Sequence, residues 1–174
     1  TVFCVTGIIN AFNMIDGING LCASMVISAL IGFIIITGLD VVNYAFVIAF
    51  GGIFGFLVYN LGVVGEKRRV FLGDNGSSFL GFFVAWACIY LSSAENNFFN
   101  PVTALWLVFI PFLDCMNVIL QRVRLGKKLF SPDRNHLHHL LMNRDINPLT
   151  VLGYIFLISL FFVFIGISLD YFGI

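Results

Sequence analysis

Residues 71–94 read F-L-G-D-N-G-S-S-F-L-G-F-F-V-A-W-A-C-I-Y-L-S-S-A. One carboxylate, Asp74, sits between glycines at the mouth of a run that carries no charge from Ser77 to Ala94. Such a run comes close to the roughly 20 apolar residues that a helix needs to cross a hydrocarbon layer. Gly73 and Gly76 let the backbone turn sharply and approach a ligand. Ser77 or Ser78 is a candidate N-cap for a helix beginning near Phe79. A helix start offers unpaired N–H groups to phosphate, yet Asp74 repels phosphate there unless a cation accompanies it. Mg²⁺, which binds through one or two carboxylates plus substrate phosphates, resolves the conflict. An ordinary helix cap with an Asx-turn is the equal alternative.

The same kind of run recurs outward from this stretch. Leu21–Leu39, Val41–Gly65 and Asn147–Leu169 carry no charge, and Pro101–Leu120 is interrupted only by Asp114. The chain of 174 residues is 60% hydrophobic and 10% charged, against about 25% charged in soluble domains, which excludes an ordinary soluble globular class. The expected helices are 21–38, 43–63, 78–94, 102–120 and 149–170, after the last turns of another over residues 1–12. The fold class is therefore all-α: a polytopic membrane protein with about five full transmembrane helices plus the end of a sixth. Thr1 falls in mid-hydrophobic sequence with no signal-peptide pattern. Residues 1–174 accordingly read as the C-terminal part of a single integral-membrane domain whose first helices precede it. Cys4, Cys22, Cys88 and Cys115 all lie in apolar segments without C-x-x-C spacing and read as buried free thiols.

Counting crossings puts Asn10–Gly20, Gly65–Ser77 and Gln121–Pro148 on one side of the bilayer, and Asp40, Glu95 and Asp170 on the other. Every basic residue falls on the first side: Lys67, Arg68, Arg69, Arg122, Arg124, Lys127, Lys128, Arg134 and Arg144. The positive-inside rule makes that side cytoplasmic. Net charge is zero and gives no reason to invoke nucleic acid.

Three polar segments thus share a face. In the first, Asn10, Asn13 and Asp16 recur every third residue, so Asn13 and Asp16 would be neighbours on a helix. Their oxygens suit a hard cation such as Mg²⁺ or Mn²⁺; a polar helix end capped by Asn and Gly is the plainer reading. In the second, Glu66-Lys67-Arg68-Arg69 before Asp74 suits anionic headgroups or a polyphosphate, or serves orientation alone. In the third, S-P-D-R-N-H-L-H-H-L-L holds all three histidines. His136 and His139 could share a helical face, with His138 pointing elsewhere. Zinc is unattractive there for want of H-E-x-x-H or a Cys partner. Arg134 beside imidazoles suits phosphate, since a guanidinium binds its oxygens in pairs. Asp114, an ionisable group within a span, marks a functional site or a buried pair with Arg122 or a polar neighbour.

The segments N-A-F-N-M-I-D-G-I-N-G-L (10–21), V-F-L-G-D-N-G-S-S-F-L-G-F (70–82), N-P-V-T-A-L-W (100–106) and F-S-P-D-R-N-H-L-H-H-L (130–140) resemble the polyprenyl-phosphate N-acetylhexosamine-1-phosphate transferase family, also described as glycosyltransferase family 4. The form H-L-H-H is similar to its N-acetylglucosamine-type branch. The resemblance implies a multi-pass protein of the bacterial inner membrane with a cytoplasmic active site. It implies that undecaprenyl phosphate attacks the β-phosphorus of a UDP-amino sugar, UMP leaves, and lipid-linked surface polysaccharide synthesis begins. It further implies Mg²⁺, with Mn²⁺ as a substitute, held by Asp74 and Asp16. Asp16, Asp74, His136 and His139 would be catalytic, and Asn10, Asn13, Asn19, Gly73, Ser77, Arg134 and His138 would bind substrate. A homodimer is compatible with the resemblance. Two departures matter: Asn19 stands where the family often has a second Asp, and the family's adjacent Asp pair is absent, so this piece alone is expected to be inactive. A transporter, the rival from another class, calls for polar residues near helix centres and inverted repeats; here polarity collects at one surface.

Overall fold

The computed structural model describes residues 1–38, 43–126 and 136–173, and all regular structure among them is helical. The helices are α1 (Val2–Ile15), α2 (Leu21–Thr37), α3 (Asn43–Asn60), α4 (Gly73–Leu91), α5 (Pro101–Leu107), α6 (Phe109–Arg124), α7 (Leu137–Met142) and α8 (Pro148–Tyr171), with a 3₁₀ turn at Glu66–Arg68.

Helix α2 is the hub. It is apolar all round, every residue from Leu21 to Leu30 is buried, and α1, α3, α4, α5 and α8 pack about it, as expected of a helix with no polar face. Its contact with α8 is close: the hydroxyls of Ser28 and Ser159 meet at 2.7 Å. A Cβ at Gly32 would stand 2.6 Å from Leu107 and 2.9 Å from Val163. The outer helices show large apolar side chains to the surroundings, among them Ile48, Phe79, Trp86, Leu157 and Phe161. Helix α8 is by itself long and apolar enough to cross a membrane. Helices α1, α2 and α3 are apolar but shorter. Cys4, expected to be buried, is exposed, because nothing described packs on the first turn of α1.

The stretch expected as one helix over 102–120 is two, bent by 81° at Val108. Pro111 lacks an N–H and its ring would strike the carbonyl of Leu107, so α5 ends there and a new helix starts. Helix α5 runs alongside α8 in the opposite direction. Trp106 lies on Gly166, and Asp170 Oδ1 accepts from the Asn100 N–H (2.9 Å), the Asn100 amide (3.0 Å) and the Thr103 hydroxyl (2.8 Å). This explains N-P-V-T as the clamp at the far end of the bundle.

Helix α4 begins at Gly73 and not near Phe79. Gly73, at φ +69°, makes the turn into the helix, so neither Ser77 nor Ser78 is the N-cap. Ser77 lies one turn inside, its hydroxyl donating to the carbonyls of Asp74 (3.2 Å) and Gly73 (3.3 Å). Asp74 consequently sits in the first turn, where the helix dipole favours a carboxylate.

Helices α1 and α4 come close together at Gly81, where a Cβ would meet Ile9 Cα and Phe12 Cβ at 3.0 Å and the Ile8 carbonyl at 3.3 Å. Gly81→Val should force the two helices apart and lower stability by about 1–3 kcal/mol. Thermal unfolding in detergent measures this, with Gly55→Val, at a site with nothing within 4 Å, as the tolerated control.

Candidate active site

The seam between α1 and α4 carries the first two polar segments to one place. The Asn13 amide donates to the Ser77 hydroxyl at 3.0 Å and to the Asp74 carbonyl at 3.4 Å. Ser77 is completely buried, so its hydroxyl joins two helices and does not face a ligand. Asp16 ends α1 as its C-cap. Its carboxyl is pushed up to about 6, first by burial and then by the negative charge of Asp74. The two acids therefore feel each other, and Asp74 is the exposed member of the pair.

The third segment closes on the first. The His138 ring lies so directly on Gly17 that any Cβ there would collide with it. This is the close approach that requires a glycine after Asp16. His138 is 1% exposed, and neither ring nitrogen has a hydrogen-bond partner among the described residues. Burial first, then His139 and His136, lower its pKa to about 4. His136 precedes α7 as its N-cap and is not part of the helix. Its Nδ1 lies 2.8 Å from Asp114 Oδ2, while Asp114 Oδ1 accepts the Leu137 N–H at 2.7 Å. The ring centres of the three histidines lie 4.3 Å (138–139), 5.7 Å (136–138) and 6.5 Å (136–139) apart. His138 thus turns in against the end of α1, close to both other histidine rings and not apart from them as expected, and like Ser77 it is buried and does not face a ligand.

Beside this cluster lies an open cleft of about 520 Å³, lined by Gly17, Asn19, Arg69 and Asn147 among others. Arg69 bonds Glu66 at 2.9 Å and reaches over Gly62, where a Cβ would stand 2.5 Å from its Nε. Of the residues singled out in the sequence, Asn13, Asp16, Asn19, Gly73, Asp74, Ser77, His136, His138 and His139 come to this end of the bundle. Asn10 does not join them: it is exposed and donates to the Thr6 carbonyl of its own helix at 2.8 Å. Arg134 lies outside the described residues. Sequence reasoning had marked Arg69 only within a basic run suited to anions or to orientation, and it missed Asn147 as a cleft residue. It noted Asp114 without finding its partner, since helical periodicity cannot link residues 22 positions apart.

Among the described residues no group of three or more His, Cys, Asp or Glu side chains surrounds a common point. Two mutually repelling carboxylates are a donor set that fits a hard divalent cation completing its shell with phosphate and water.

The family model for glycosyl transferase family 4 matches residues 1–92. The chain is similar to the undecaprenyl-phosphate alpha-N-acetylglucosaminyl 1-phosphate transferase of Escherichia coli (strain K12), at 37% identity over 98% of this chain and 47% of that protein. The proteins of the same name from Yersinia pestis and Haemophilus influenzae are each 38% identical. They cover 82% and 62% of this chain, and 40% and 30% of themselves, respectively. The chain spans about half the length of the Escherichia coli protein.

The opposite shifts of Asp16 and His138 set a test. Asp16, raised to about 6, gives stability that is full below its unfolded value near 4 and is lost as pH rises through 6. His138, lowered to about 4, gives stability that is full above its unfolded value near 6.5 and is lost as pH falls through 4. In EDTA the two nearly cancel between pH 4 and 6. Asp16→Asn should make the protein melt at lower temperature as acid is added over that window, and His138→Gln should do the reverse. Melting curves in detergent at stepped pH read both.

Proposed function

The chain belongs to glycosyl transferase family 4, and on that premise we propose that it supplies part of the active site of a bacterial inner-membrane phosphotransferase. The reaction moves N-acetylglucosamine 1-phosphate from its UDP derivative to undecaprenyl phosphate. The observation that carries this reading is the meeting of Asp16, Asp74 and the histidine segment at one end of the bundle, through Asn13 on Ser77 and His138 on Gly17. The names of the relatives supply the sugar and the lipid.

A polytopic arrangement with this end in the cytoplasm is part of the proposal. Large apolar side chains exposed on α3, α4, α6 and α8 suit contact with lipid. Lys67, Arg68, Arg69 and Arg144 lie in the segments at the site end, and the Asp170 clamp lies at the other, as the positive-inside rule asks.

A phosphate monoester loses its second proton near pH 6, so the lipid phosphate is already largely a nucleophile at neutral pH. Its oxygen attacks the β-phosphorus, the bond from that phosphorus to the bridging oxygen breaks, and UMP leaves with that oxygen. The obstacle is bringing anions together, which charge neutralisation and positioning overcome. Asp16 and Asp74 would hold Mg²⁺, which when bound supplies positive charge to the phosphoryl oxygens. Asn19 and Arg69 line the cleft and would take polar and anionic parts of the nucleotide sugar. The histidine segment would lie against the diphosphate, with His136 and His139 presenting ring nitrogens to its oxygens. Ser77 and Asn13 act indirectly by fixing the helix start on which Asp74 stands.

In the full-length protein in detergent, Asp74→Asn should cut Mg²⁺-dependent UMP release from UDP-N-acetylglucosamine and undecaprenyl phosphate by at least about 100-fold. Wild-type turnover in that variant would remove Asp74 from the site.

A further inference from the structure

Asp114 is 5% exposed within α6, and both of its oxygens are engaged. A carboxylate in an apolar setting is costly unless fully bonded, and an apolar pair would close the same gap without that cost. What the carboxylate adds is direction. An ionised carboxylate only accepts hydrogen bonds, so Nδ1 of His136 must carry the proton in this pair. The other ring nitrogen, Nε2, is then the one left to exchange a proton or meet a ligand. The tether is itself fixed, because the second oxygen accepts the main-chain N–H of Leu137, the first residue of α7. Among the three histidines, His136 alone has a hydrogen-bond partner among the described residues that selects a tautomer.

We propose that Asp114 is a positioning residue: it sets the tautomer and the angle of His136, so that Nε2 is presented to the phosphate groups of the substrate. The proposal rests on the phosphotransfer reading above, with His136 as the group that touches substrate and Asp114 acting only through it. Asp114 itself lies outside the three polar segments, which brings the middle of α6 to the site.

The test uses the full-length protein in detergent and the variants Asp114→Asn, His136→Gln and the double variant. The asparagine has the same outline. With its oxygen on the Leu137 N–H it turns an NH₂ toward His136, and the ring proton must move to Nε2. Asp114→Asn should lower kcat for UMP release by about 10- to 100-fold, with KM for UDP-N-acetylglucosamine and the melting temperature nearly unchanged. The double variant should be no slower than His136→Gln alone. With ¹⁵N-labelled histidine, the neutral His136 ring should carry its proton on Nδ1 in the wild type and on Nε2 in Asp114→Asn. Multiplying losses in the double variant overturn the proposal. So does a wild-type ring protonated at Nε2, a measurement that needs no variant to fold. A wild-type protein that releases no UMP sinks the phosphotransfer reading instead, while the ring shifts still report on the tether.

Discussion

The seam between α1 and α4 holds two carboxylates near each other, and the rest of the site is arranged around that discomfort. Like charges so close are unfavourable, the more so with Asp16 part-buried, and nothing local to either segment would bring Asp16 and the exposed Asp74 together. The helices do so because Gly81 removes the side chain that would keep their backbones apart, and because Asn13 ties the end of one to the start of the other. The repulsion shows in the raised proton affinity of Asp16. Packing at one glycine and a part-buried amide–hydroxyl bond therefore hold a charge arrangement that a flexible loop would relax away.

His138 is pressed onto Gly17 and favours its neutral form. The guanidinium at the cleft is already engaged with Glu66. On the proposed reading, a cation held by the two acids would join that guanidinium in binding phosphate, so that nucleotide capture is coupled to metal capture.

The part legible in the sequence was the part that parity controls. Each apolar run sends the chain to the opposite end, so segments separated by an even number of runs share an end, and Asp16, Asp74 and the histidines followed from that. The all-helical class followed from the length and lack of charge of the runs. What escaped depended on contacts that no local pattern encodes. Pro111 was visible, but only its position one turn beyond Leu107 turns a span into two helices. Ser77 looked like a cap because serines often are, whereas Gly73 with its positive φ had already begun the helix. His138 read as a residue pointing away because its seat, Gly17, lies in a segment over a hundred residues earlier. Asp114 announced itself by being charged in an apolar run, and only the fold could say which histidine it served.

The bend at Val108 separates two kinds of length. Helix α5 lies along α8, so a turn added to it would shift everything after Val108 up or down the bundle by about 5 Å and carry Asp114 out of reach of His136. Helix α6 leaves nearly square to that direction, so a turn added beyond Arg122 would only extend it sideways. Insertions and deletions among close kin should therefore be scarce between Asn100 and Asp114, a constraint written into the chain by one proline.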